Sequence, residues 1–283
     1  MGDRLRFTIL GSGSSPGVPR INGDWGDCDP QNPRNRRMRC AAMAERISES
    51  GITRVVIDTG PDFRAQMLMA GVSHIDAVVY THPHADHIHG IDDLRTYAID
   101  QRRRMEIFAD DFTYRRLTEG FGYCFETPAG SSYPPILNRH AIDHNQPVIV
   151  EGKGGPLTLL PLPQIHGEIM SLGFRMGDLA YCPDVSAFPE ETLGRLNNLD
   201  VLVIDALQYK PHPSHLSVDE AVECIEALEP KQAFLTHMHV PLDYDAVDRI
   251  TPANVSPAHD GLVLELPYHD DWHRQSSTYA RAI

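Results

Sequence analysis

Short apolar runs alternate along this chain with stretches in which apolar positions recur every three or four residues, the pattern of strands exchanging with helices. RFTIL (6–10) and TRVVIDTG (53–60) read as strands. A helix follows over about 62–70, and IDAVVYT (75–81) then reads as a buried strand. Beyond it, DHIHGIDDLRTYAID places Ile88, Ile91, Leu94 and Ala98 at helical spacing. A helix is therefore predicted there, with Asp86 near its start and His82 and His84 on the strand-to-helix turn. Such turns lie at the mouths of sheets, where sites are usually built.

Residues 121–146, rich in Gly, Pro, Ser and aromatics, read as an elaborated loop forming part of a pocket wall. PLTLLPLPQIHG (156–167) is a strand and a turn ending in His166, and LGFRMGDLAYCPD (172–184) a hairpin whose second strand ends at Asp184. DVLVIDAL (200–207), SVDEAVECIEAL (217–228) and QAFLTHMH (232–239) give strand, helix and strand. DGLVLEL (260–266) is a closing strand before a polar tail expected to fray.

A faint repeat runs through this map. VVIDTGPD, a helix, IDAVVY and a histidine-rich turn resemble LAYCPDVS, a helix, LDVLVIDAL and PHPSH, at an offset of about 125 residues. The repeat predicts two sheet-plus-helix halves facing one another in a single domain over residues 1–283.

Composition narrows the classes. With 41% hydrophobic and 23% charged residues in 283, the chain has ordinary globular usage and enough length for a substantial core. The net charge of −14, from 39 acidic against 25 basic residues, opposes broad attraction to nucleic acid or to an anionic membrane. Basic runs at RNRRMR (34–39) and RRR (102–104) read as solvated surface rather than phosphate contacts. No run approaches the roughly 18 apolar residues of a membrane span. The start, MGDRLRFTILGSG, lacks the apolar core and cleavage site of a signal peptide, so a cytoplasmic location is expected. Five scattered cysteines without a CxxC pair read as reduced thiols.

The candidate chemistry starts at YTHPHADHIHG (80–90), which packs His82, His84, Asp86, His87 and His89 into one turn. Neutral imidazole is the commonest metal ligand. A histidine-rich surface loop is the plainer reading, and eight residues cannot surround an ion. The missing ligands are sought at other strand ends, and His166, Asp184 and His237 each stand just past an apolar strand, as His82 does. Any one of them alone is more often a hydrogen-bonded structural residue. Together they sum to five histidines and two carboxylates, enough to hold two divalent ions with a water-derived hydroxide between them.

His82-x-His84-x-Asp86-His87, followed by isolated His166, Asp184 and His237, resembles the ligand signature of the metallo-β-lactamase superfamily over nearly the whole chain. The resemblance implies a four-layer αβ/βα sandwich, an α/β fold with the metals at one edge of its two sheets. It implies one metal on His82, His84 and His166, a second on Asp86, His87 and His237, and Asp184 bridging both. Asp58 in VVIDTG matches a carboxylate that supports the ligands from behind. His89 has no counterpart in the ligand set and is expected to be structural. The ions would be zinc, with manganese or iron able to use the same donors.

The fold hosts many activities, so substrate must come from local features. ILGSGSSPGVPRI (9–21) has no GK[ST], which removes a Walker-type phosphate loop. LGSGSSPGVP, the DPQNPRNRRMR stretch, THMH (236–239) and SPAHDGLVLEL (256–266) resemble the PhnP proteins, which cleave cyclic phosphodiesters, and more distantly tRNase Z. That likeness implies a small phosphodiester or nucleotide substrate, with catalysis resting on Asp86, Asp184 and a histidine facing the phosphate as general acid. His215, just before the helix at Ser217, takes that role, with His212 the competitor. PhnP proteins also carry a cysteine cluster that binds a further structural zinc with a late histidine. Here INGDWGDCDP leaves only Cys28 nearby, His239 is the late histidine, and Cys40 is wrongly spaced, so no extra zinc is expected. tRNA 3′-end processing, thioester or lactone hydrolysis and a non-catalytic nucleotide-binding role are the alternatives. A homodimer is compatible with the sequence.

Overall fold

Strands β1 (Arg4–Gly11), β2 (Ala41–Ser48), β3 (Gly51–Ile57), β4 (Ala77–Val79), β5 (Met105–Ala109) and β6 (Leu137–Ala141) build one sheet. A second contains β7 (Val148–Val150), β8 (Leu157–His166), β9 (Ile169–Met176), β10 (Leu179–Cys182), β11 (Val201–Asp205), β12 (Gln232–Thr236) and β13 (Val255–Pro257). The chain then returns to the first sheet with β14 (Val263–Pro267), which pairs with β1. The computed structural model describes residues 2–269, so most of the polar tail lies outside the described residues.

The order is β14-β1-β2-β3-β4-β5-β6 in one sheet and β7-β8-β9-β10-β11-β12-β13 in the other. In the first, neighbours from β14 to β3 are antiparallel and those from β3 to β6 parallel. The second repeats this scheme, antiparallel from β7 to β10 and parallel from β10 to β13. The faint sequence repeat therefore aligns β3 and β4 with β10 and β11, which occupy equivalent places.

The central strands of each sheet are covered on both faces, which is why they read as nearly continuous apolar runs. Phe7, Ile9, Val55, Ile57, Phe174, Tyr181 and Val203 fill the space between the sheets. Val56, Val78 and Ile107 face outward against Phe63 and Met67 of α1 (Phe63–Ala70) and the segments that follow. On the other side Leu202 and Ile204 meet the helical residues Val218, Ala221, Ile225 and Val247. Helix–sheet–sheet–helix layering results, the expected α/β sandwich. No helix of the described residues is long and apolar enough to cross a membrane.

The helix expected after the histidine turn is broken. It forms α2 (Ala85–Ile88), a 3₁₀ turn (Ile91–Asp93) and α3 (Leu94–Asp100). Gly90 N–H donates to Thr59 O at 2.7 Å, and a Cβ at Gly90 would lie 2.2 Å from Gly60 O. The loop after β3 thus takes the place of the helical bond. Ile88, Ile91, Leu94 and Ala98 still bury into one core, so the spacing held although the helix did not.

Residues 121–146 are also more ordered than a loop. Helix α4 (Asp111–Phe121) ends in them, and β6 pairs in parallel with β5. LNRHA is an edge strand with one buried residue, too polar to register as a strand. The basic run at 34–39 is only partly solvated. Arg37 is 2% exposed and donates to Asn35 Oδ1, while Arg39 pairs with Asp62 at 2.9 Å.

Gly60 is where the two loops touch most closely, since a Cβ there would stand 2.0 Å from Asp86 O. Gly60→Ala is expected to destabilise the fold by about 1–3 kcal/mol, the usual cost of overpacking. An unchanged thermal midpoint would show that the loops are free to part.

Candidate metal centre

His82 and His84 follow β4, and Asp86 and His87 sit on α2. His166 is the last residue of β8, Asp184 stands two residues after β10, and His237 directly follows β12. Strand ends from both sheets thus deliver all seven residues to one edge of the sandwich, as open sheets do at their carboxyl ends. Donor atoms of His82, His84 and His166 lie within 4.8 Å of one another, as do those of Asp86, His87, Asp184 and His237. Asp184 joins the groups. Its Oδ1 is 3.2 Å from His87 Nε2, and its Oδ2 is 3.3 Å from His237 Nε2 and 3.8 Å from both His82 Nε2 and His166 Nε2.

Every buried ring but one is held by its outer nitrogen. His87 Nδ1 lies 2.7 Å from Asp58 Oδ2, His82 Nδ1 2.9 Å from Thr81 Oγ1, and His166 Nδ1 donates to Ser214 O at 2.6 Å. Turned inward, His82 Nε2, His87 Nε2, His237 Nε2 and Asp184 Oδ1 are buried without a hydrogen-bond partner. Such atoms are normally partnered, and each costs about 1–3 kcal/mol when it is not. A set of imidazoles and carboxylates with orphaned inner atoms fits divalent cations.

The electrostatics agree. Burial pushes His82 well below its ordinary value and His237 down to about 3, keeping both lone pairs free. Burial would also lower His87, but Asp184, Asp86 and Asp58 hold it well above. Burial would raise Asp184, yet His237, His87 and His82 keep it well below the carboxylate range. A cation held here would take the lone pair of His87 Nε2 in place of a proton. Asp58 (φ 67°) and His237 (φ 59°) both adopt left-handed backbone, at a cost of about 1–3 kcal/mol each that clusters at functional sites.

His215 stands beside the cluster, its ring 4.6 Å from those of both His166 and His237. Its Nδ1 lies 2.7 Å from Asp205 Oδ2, which also accepts Val185 N–H at 2.9 Å. His212 is exposed, hydrogen-bonded to Ser214 of its own loop, with its ring 5.3 Å from that of His215. Asp205, the buried carboxylate behind His215, was passed over in the sequence. It ends β11 (Val201–Asp205), but Ala206 and Leu207 carry the apolar run past it in the sequence, so it did not stand out as a strand end.

His89 is exposed, with its ring 5.7 Å from Phe121 and away from the cluster. Cys28 Sγ lies 3.3 Å from Val240 O, whereas His239 sits between Ser14 Oγ at 2.8 Å and the Arg20 guanidinium at 2.6 Å. Cys40 is buried against Tyr181 OH at 3.1 Å. Each of these three residues has protein partners, Cys28 resting on the residue next to His239.

Paired sheets with a histidine–aspartate cluster at their shared edge define a class. Residues 53–238 match the model of the beta-lactamase superfamily domain, and the chain belongs to that superfamily. Within it, the chain resembles a solved diphosphatase of the PhnP family, 38% identical with a TM-score of 0.83 over 94% of this chain and 98% of that one. That likeness puts it in the PhnP-like branch. The short form of human tRNase Z shares the fold, at 18% identity and a TM-score of 0.58 over 92% of this chain and 98% of that one. An octanoyltransferase of Porphyromonas gingivalis (strain ATCC BAA-308 / W83) is 32% identical over 263 residues, 91% of this chain. The chain spans about half of that relative's length, 51%.

Proposed function

We propose that this chain is a binuclear metal-dependent phosphodiesterase acting on small cyclic or nucleotide-like phosphodiesters. The observation that carries the proposal is the Asp205–His215 pair, set against a cluster centred on Asp184 that can hold two cations. His82, His84 and His166 would hold one ion, Asp86, His87 and His237 the other, and Asp184 both. Zinc suits these donors, with manganese the alternative. When bound, such a pair supplies a nucleophile from water near neutral pH and neutralises charge on phosphoryl oxygens.

The protein's own residues do the rest. Asp205 engages His215 Nδ1 and leaves Nε2 for substrate, so the protonated ring gives its proton to the departing oxygen as the P–O bond breaks. Asp86 and Asp184 keep the cluster anionic enough to retain its cations. The diphosphatase relative supports phosphorus as the electrophile. Net charge of −14 favours a small substrate over an extended nucleic acid. Residues 150–240 are taken up by β8 to β12, α5 (Glu190–Arg195), α6 (Val218–Leu228) and their connections, which supports the same choice over a folded RNA.

Thioester hydrolysis is a second reading, favoured by the octanoyltransferase relative. Metal-analysed protein should be assayed against bis-p-nitrophenyl phosphate, 2′,3′-cyclic nucleotides, a lactone, an octanoyl thioester and a precursor tRNA. The small phosphodiesters are expected to turn over fastest. Faster thioester cleavage would overturn the proposal.

Asp205 makes a prediction of its own. Burial lowers His215, but the Asp205 carboxylate outweighs it and raises the ring above its ordinary value. Activity that needs protonated His215 falls as pH rises through that raised value. In Asp205→Asn the largest raising influence is lost and only Asp184 and Asp86 still oppose burial, so the fall moves to lower pH. The kcat loss should stay below the about 10²–10⁴-fold due to the proton donor itself. A pH–rate profile with the wild-type alkaline limb would refute this role.

A further inference from the structure

We infer that Thr81 is a positioning residue that ties His82, a ligand of the first cation, to Asp58, the carboxylate that orients His87 of the second. The inference rests on the reading of His82 and His87 as ligands of different ions. Thr81 is buried directly before the histidine run, at 1% exposure. Its backbone N–H donates to Asp58 Oδ1 at 2.8 Å, and its carbonyl accepts Leu172 N–H from β9 at 2.9 Å. The backbone of Thr81 is therefore held from both sides of the sandwich.

Its hydroxyl lies 2.7 Å from Asp58 Oδ2 and 2.9 Å from His82 Nδ1. Asp58 Oδ2 is also 2.7 Å from His87 Nδ1. A hydroxyl has one proton, and an ionised carboxylate only accepts. The Thr81 proton thus goes to Asp58, leaving the Thr81 oxygen to accept from His82 Nδ1–H. His87 Nδ1–H donates to Asp58 directly, so the longer 3.4 Å approach of Thr81 Oγ1 to His87 Nδ1 adds little. One carboxylate in this way sets the tautomer of two rings, and both present Nε2 to Asp184. Among the described residues, His82 Nδ1 is hydrogen-bonded to nothing else.

Asp58 thus acts on His87 by contact and on His82 through one oxygen atom. Removing that atom should affect the ions unequally, because only His82 loses its orienting bond. Thr81→Val keeps the branched shape, and Thr81→Ser keeps the hydroxyl.

The test is metal binding, read by metal analysis and chelator competition with zinc for wild type, Thr81→Val, Thr81→Ser and Asp58→Ala. Thr81→Val is expected to hold one ion near wild-type affinity and the other about 10–100-fold more weakly, the usual effect of losing a partner behind a ligand. Thr81→Ser should restore both, and Asp58→Ala should weaken both. Two ions bound to Thr81→Val as tightly as to wild type, equal weakening of both, or failure of the serine variant to restore binding would each overturn the inference. A folded wild-type chain that takes up fewer than two ions would instead remove the ligand reading beneath it.

Discussion

Asp184→Asn is expected to empty or disorder the cation pair and to abolish nearly all hydrolysis. The carboxylate is 2% exposed and faces both donor sets, with Oδ1 toward His87 and Oδ2 toward His237, His82 and His166. Asparagine keeps the shape but gives up the charge and points an N–H at an imidazole whose lone pair faces inward. Partners behind a ligand cost about 10–100-fold in affinity or activity, and a residue touching both ions should cost more. Metal analysis and turnover of bis-p-nitrophenyl phosphate on one preparation check it. Full occupancy with wild-type rate would contradict the bridging role.

His215→Ala separates chemistry from metal binding. Removal of a general acid should lower turnover by about 10²–10⁴-fold while both ions stay bound. The geometry makes this a sharp test, because donor atoms of His215, His166 and Asp184 also lie within 4.8 Å of one another. Loss of metal in step with rate would make His215 a ligand. His212→Ala should leave turnover close to wild type, as that ring is exposed and bonded only within its own turn. A large loss there would exchange the roles of the two histidines.

Several features were open to sequence reading for physical reasons. Strands buried on both faces leave continuous apolar runs, so β1, β3, β4 and the strands from β8 to β12 were visible together with the polar residues that end them. The edge strand β6 and the alanine-rich β2 were not, because their stability comes from pairing with neighbours rather than from side-chain pattern. The break at Gly90 was hidden likewise, since its cause is the carbonyls of Thr59 and Gly60.

Sequence alone picked out seven residues that the structure gathers at one edge of the sheets. Burying strands on both faces demands apolar residues throughout, so polar ones collect where the strands stop, and His82, Asp86, Asp184 and His237 stand out there. Only the tertiary structure decided what they form. The packing of two sheets puts Asp184 between donor groups from distant segments, the parallel pairing of β3 with β4 brings Asp58 to Thr81 and so to His82, and the turn after β11 folds His215 back onto Asp205.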